Sequence, residues 1–168
     1  MKEVVVKSQV LSRAAEEGID AFLQTVIDAV KQSVDGQLTA ETLGQLSVAQ
    51  TTLLAYDVLR DEVMDGGFVQ LIYNGYGGFL FQNPFARVLK MWGLRDLGKL
   101  VYEARKLYFK HQAEIEHECS DEEFMAMFER FPEFDDLDDD FVEHEEEWSA
   151  AIAYYVDEHL DEFIAVEQ

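Results

Sequence analysis

With 168 residues, 48% of them apolar, and 12 Phe, 7 Tyr and 2 Trp, the chain has the material for a packed core; a domain of this size buries roughly 70% of its unfolded surface. The aromatic content excludes an acidic disordered chain. The net charge of −22, from 35 acids against 13 bases, excludes direct nucleic-acid binding as the expected role, because phosphate is repelled by such a field.

Taken along the chain, the N-terminal stretch Met1 to Arg13 has only the short apolar run Val4-Val5-Val6, too little for a secretory segment. Helical spacing runs over Leu11 to Glu17 and Asp20 to Val34, broken near Gly18 and ended by Asp35-Gly36. Ser47 with Gln50 reads as a capping box before a helix reaching about Asp65. Residues Gly66 to Ala86 are uncharged, but five glycines, Asn74, Asn83 and Pro84 argue against a lipid-facing helix. Asn83-Pro84 opens a helix that stops near Gly93, and a long helix follows from about Arg95 to Glu118. No strand-like alternation persists. These elements predict a single all-α domain over residues 1–168, with a core signature at about 50–115. The lone Cys119 excludes an intrachain disulfide and fits a reducing, cytoplasmic setting.

Charge is unevenly placed. Residues 1–110 hold 13 acids and 12 bases, whereas residues 111–168 hold 22 acids and one base, Arg130. This acidic third also carries Phe124, Phe128, Phe131, Phe134, Phe141, Trp148 and Phe163, so it is expected to fold. Ser120 with Glu123 resembles a capping box, and Pro132 marks that helix's end. Trp148, Ile152, Tyr155 or Val156, Leu160 and Phe163 make one apolar stripe, with Asp157, Glu158, Asp161 and Glu162 largely on the other side. Carboxylates are therefore displayed on a scaffold at about 114–168.

Residues three or four apart on a helix have β-carbons about 5–6 Å apart, while duplex DNA presents one charge per roughly 1.7 Å of axis. Rows of Asp and Glu on packed helices thus offer a comparable density of fixed charge. Lys and Arg of a DNA-binding protein pair with carboxylates as they do with phosphates. The expected partner-binding acids are Glu118, Asp121, Glu122, Glu129, Glu133, Asp135, Asp136, Asp138, Asp139, Asp140, Glu143, Glu145, Glu146, Glu147, Asp157, Glu158, Asp161 and Glu162. The bland alternative is that these acids only keep the protein soluble.

Other chemistry is weaker. Gly75-Tyr76-Gly77-Gly78 lacks the spacing of a phosphate loop. Glu114 and His117 give one Glu-x-x-His where a di-iron bundle needs two, and a zinc motif is incomplete. Asp136, Asp138, Asp140 and Glu147 fit positions one, three, five and twelve of a calcium loop, but Phe141 stands where glycine is needed. No nucleophile or paired catalytic carboxylates stand out, so neither catalysis nor a cofactor is expected.

The segment Glu62-Val63-Met64-Asp65-Gly66-Gly67-Phe68-Val69-Gln70-Leu71-Ile72-Tyr73-Asn74-Gly75 resembles the signature of a bacterial family of small helical proteins that includes a DNA mimic. The resemblance covers roughly residues 50–115 by motif and the whole chain by size and charge layout. It implies an all-helical fold and a homodimer. It also implies an acidic surface that occupies the DNA-binding face of a helix-turn-helix transcription factor and relieves its repression. Read from the residues, Gly66-Gly67 ends a helix and redirects the chain, Phe68, Leu71 and Ile72 return to the core, and Gln70 and Asn74 bond backbone groups. Tyr76, Phe79, Phe81 and Phe85 belong either to the core or to a dimer patch. The alternative to a DNA mimic is an acidic binding module for another basic partner, such as a histone-like protein or a nuclease, or for a cation such as calcium.

Overall fold

The computed structural model of the protein describes residues 3–168. The chain runs β1 (Val5–Lys7), α1 (Ser8–Glu17), α2 (Ile19–Ser33), α3 (Ala40–Leu43), α4 (Val48–Tyr73), α5 (Gly77–Phe81), α6 (Phe85–Met91), α7 (Arg95–Ile115), α8 (Asp121–Arg130), α9 (Asp135–Glu158) and β2 (Ala165–Glu167). Short 3-10 turns at Pro132–Phe134 and Leu160–Glu162 flank α9. The helical fold expected from the sequence is observed. No helix among the described residues is long and apolar enough to cross a membrane.

Contacts gather into two compact units: residues up to Asp57 with Glu146–Gln168, and Val58–Glu145. Helices α4 and α9 each supply residues to both.

In the terminal unit, Gly18 separates α1 from α2, which buries Leu23, Val26, Ile27 and Val30. The capping box at the start of α4 is present. Ser47 Oγ accepts the Gln50 N–H at 3.1 Å, and Gln50 Oε1 accepts the Ser47 N–H at 2.9 Å. Gln50 also donates to the Phe163 carbonyl at 2.8 Å, tying the end of the chain to this cap. The expected apolar stripe is buried through Trp148, Ile152, Val156 and Phe163. Tyr155 is only half-buried and donates to Glu162 at 3.2 Å, so Val156 is the core residue. Lys31 pairs with the buried Asp57 at 2.6 Å.

Two strands contradict the expectation of none. Val5, Val6 and Lys7 pair in parallel with Ala165, Val166 and Glu167. Three residues are too few to establish an alternating pattern, and the partner strand lies at the other end of the chain. The β-branched run at Val4 to Val6 was the only trace of it.

In the middle unit the break within α4 falls at Gly67, whose φ of 81° and ψ of −177° are open only to glycine. The chain redirects there, and Phe68, Leu71 and Ile72 enter the core as expected. Phe81 and Phe85 are core residues, whereas Tyr76 and Phe79 are half-buried. Asn83 accepts the Phe85 N–H at 2.7 Å, which starts α6 one residue after Pro84. Helix α6 packs along α7.

Candidate partner-binding surface

The acidic segments are helical for identifiable reasons. Ser120 Oγ accepts the Glu123 N–H at 3.2 Å and caps α8, whose first turn is Asp121, Glu122 and Glu123. Helix α9 begins with Asp135, Asp136 and Asp138. Acids in these first turns interact favourably with the helix dipole. They therefore stabilise the helices that display them.

The rest of α9 is not explained that way. Eleven of its 24 residues are Asp or Glu, and none is Lys or Arg. Asp157 and Glu158 lie in the last turn, where the dipole disfavours negative charge and a cation is the usual choice. Helix stability does not account for acids at that end.

The predicted acids divide between the two units. In the middle unit Glu118, Asp121, Glu122, Glu129, Asp135, Asp136, Asp139 and Glu143 are exposed. Asp136, Asp139 and Glu143 stand at three- and four-residue steps, so they form one ridge of α9. Asp140 is beside it, its side chain 48% exposed and 3.0 Å from His144 Nδ1. Glu145 is half-buried and engaged within the protein. In the terminal unit Glu146, Glu147, Asp157, Glu158, Asp161 and Glu162 are all exposed.

Two more of the predicted acids hold other parts of the fold in place. Asp138 is half-buried, and its Oδ1 accepts the Phe68 N–H at 2.8 Å. Phe68 begins the second half of α4, where the glycine break leaves backbone donors without helical partners. Asp138 therefore caps α4 from another helix. Burial pushes its carboxyl up to about 6 against the Phe68 bond, with Asp135 and Asp139 adding to the rise. Glu133 bonds Lys110 at 3.0 Å and His111 Nε2 at 2.8 Å, and these two partners hold its carboxyl below the ordinary range.

The glycine signature now has a physical basis. A β-carbon at Gly67 would come within 2.5 Å of Asp138 Oδ2, and one at Gly66 would overlap Gln70. Contrary to the sequence expectation, the side chains of Gln70 and Asn74 bond carboxylates rather than backbone groups among the described residues. Gln70 donates to Glu62 and Asp65, each at 2.9 Å, and Asn74 donates to Glu62 at 3.0 Å. On a straight helix Glu62 would lie about 12–18 Å along the axis from these amides; the redirection at Gly67 brings them together.

The calcium-loop pattern is also overturned. Asp136, Asp138, Asp140 and Glu147 all lie on continuous helix, and Asp138 faces Phe68 rather than a central ion. Asp140, Glu143 and His144 do bring one ligand atom each within 4.8 Å of one another. His144 Nδ1, however, is already bonded to the Asp140 carbonyl at 2.9 Å.

Helical framework, glycine break and acid-rich last third together define a small helical protein that displays carboxylates from capped helices. Residues 44–159 match the DMP19-like protein family, and the chain belongs to it. It is similar to the DNA mimic protein DMP19 of Neisseria meningitidis serogroup B (strain ATCC BAA-335 / MC58). The two are 32% identical over 149 residues, covering 88% of this chain and 90% of that protein.

Proposed function

We propose that this protein is a DNA mimic: its exposed carboxylates occupy the basic DNA-binding face of another protein and exclude DNA by competition. The observation that carries this reading is the composition of α9, eleven acids without a single base and with Asp157 and Glu158 at its dipole-disfavoured end. Membership of the DMP19-like family, with a DNA mimic as a relative, supports it.

The mechanism needs no base readout. Each carboxylate stands in for a backbone phosphate, accepting charge-assisted hydrogen bonds from Lys or Arg, bidentate where Arg is planar to it. Counterions leave the basic partner on binding, so affinity falls with salt as it does for DNA. The acids that perform this are the exposed ones, above all Asp136, Asp139 and Glu143 in the middle unit and Asp157 and Glu158 in the terminal unit. Asp138 and Glu133 act one step back, holding α4 and α7 in place. The partner class is a helix-turn-helix transcription factor whose repression is relieved, the protein acts as a cytoplasmic homodimer, and the role involves no catalysis.

The experiment is capture from a bacterial lysate on the immobilised protein, followed by elution with rising salt and a challenge with duplex DNA. A helix-turn-helix regulator that elutes with salt and is displaced by DNA supports the reading. Retention of basic proteins that ignore duplex DNA would replace it with a general acidic binding module.

A further inference from the structure

The chain that is acidic overall also holds a local excess of positive charge. Residues 85–110 carry seven Lys and Arg against two acids. Three of the seven, Arg87, Lys90 and Arg105, line one cavity of about 500 Å³ in the middle unit, together with Phe81, Val101 and Tyr102. None of the three is ion-paired with a carboxylate among the described residues. In a chain with 35 acids, three converging cations without one acidic partner are a specific arrangement.

The fold holds these groups in place. Gly98 of α7 gives room to the stem of Lys90, since a β-carbon there would lie 2.6 Å from Lys90 Cγ. The Lys90 ammonium is thereby set over the Tyr102 ring, 5.2 Å from its centroid. The Arg105 guanidinium lies 5.7 Å from the Tyr102 centroid and 5.3 Å from that of Phe109. Arg105 Nε is out of solvent's reach and has no acceptor. A donor left in that state is costly, and like charges gathered on one ring add repulsion. An anion seated on the guanidinium relieves the repulsion.

We propose that this cavity binds a small organic anion. Its carboxylate or phosphate head lies on Arg87, Lys90 and Arg105, and its apolar body lies against Phe81, Val101 and Tyr102. The volume falls within the range of about 300–1,000 Å³ typical of small-molecule sites. The global charge of −22 repels an extended polyanion. At physiological salt that field is screened beyond about 8 Å, so a small anion inside the cavity responds to the cations around it. The site is independent of the acidic surface and stands or falls apart from the DNA-mimic reading.

The test is titration with 1-anilinonaphthalene-8-sulfonate, an anionic head on an aromatic body, followed by fluorescence and calorimetry. Its uncharged counterpart N-phenyl-1-naphthylamine is the control. One sulfonate probe per chain is expected, with the neutral compound much weaker. Arg105→Gln and Lys90→Gln should each weaken binding about tenfold or more, the scale of one charge-assisted hydrogen bond. Lys99→Gln, which makes the same change in net charge at an exposed position of α7, should leave it unaltered. Displacement by benzoate marks a carboxylate site, and displacement by phenyl phosphate marks a phosphate site. Lys90 is exposed, so its variant reports on binding even if Arg105→Gln fails to fold. The proposal is overturned by equal binding of the neutral compound, by unchanged affinity in Lys90→Gln, by displacement with neither anion, or by no saturable binding up to about 1 mM.

Discussion

The carboxylate of Asp138 and the backbone N–H of Phe68 meet at 2.8 Å across 70 residues of sequence. One end of that bond is an acid from the most negatively charged helix of the protein. The other is the residue following the glycine break at Gly67. This contact joins the family signature to the acidic third of the chain, and it separates an acid that builds the fold from the acids displayed around it. Asp138→Ala removes the acceptor and is expected to cost about 1–2 kcal/mol, the scale of a lost helix cap. Asp138→Asn keeps an acceptor and removes the charge, so it should cost much less. Denaturant unfolding of the two variants checks this, and equal losses would assign the effect to packing instead.

The same carboxyl gives stability a distinct pH dependence. Its folded value of about 6 lies above the ordinary 3.8, so the folded state binds the proton more tightly than the unfolded chain. Stability from this group therefore rises as pH falls from about 6 toward 4 and is lost as pH rises through 6. Glu133, held below its ordinary value by Lys110 and His111, works in the opposite direction at lower pH. Comparing wild type with Asp138→Asn across pH 4 to 7 isolates the first effect, since only wild type should gain relative stability toward pH 4.

Gly67 is expected to be among the least replaceable positions. A side chain there must adopt a backbone conformation costing about 1–3 kcal/mol, and its β-carbon would press on Asp138 Oδ2. Gly67→Ala should lose stability by at least that amount. In an Asp138→Ala background the added loss should be smaller, because the clashing carboxylate is gone. Strict additivity in the double-mutant cycle would refute the contact.

Much of this was legible in the sequence, and the omissions share a cause. Gly18, the Ser47–Gln50 box, Ser120 and the stripe from Trp148 to Phe163 are local signals, each decided within a few turns of chain, and each appears where the spacing predicted. The Val5–Lys7 strand, the Asp138 cap and the ties of Glu133 to Lys110 and His111 join residues distant in sequence. An aspartate that caps a distant helix looks, in sequence, like any other in Asp138-Asp139-Asp140. The basic cavity was hidden for a related reason: its cations balance the acids of residues 1–110, so the charge summed over that stretch conceals a local cluster.

Crowded carboxylates predict a response to salt. Between about 10 mM and 150 mM ionic strength the Debye length falls from about 30 Å to about 8 Å, which relieves repulsion among the exposed acids of α8 and α9. The melting temperature should rise over that interval and level off beyond it. A melting temperature indifferent to salt would mean that the acids are too widely spaced to act as a dense field.

The central claim is that exposed carboxylates displace DNA, and competition measures it most directly. A regulator captured from lysate would be bound to its own fluorescently labelled duplex, and the protein would be titrated in while anisotropy is followed. At a fixed salt concentration at which the regulator–duplex complex is itself stable, wild type should release the duplex in a concentration-dependent way. Joint substitution Asp136→Asn, Asp139→Asn and Glu143→Gln should shift the midpoint of that displacement to higher protein concentration, with the fold intact, because all three side chains are exposed. Displacement by the triple variant equal to wild type, or a ternary complex in which the duplex stays bound, would contradict the account.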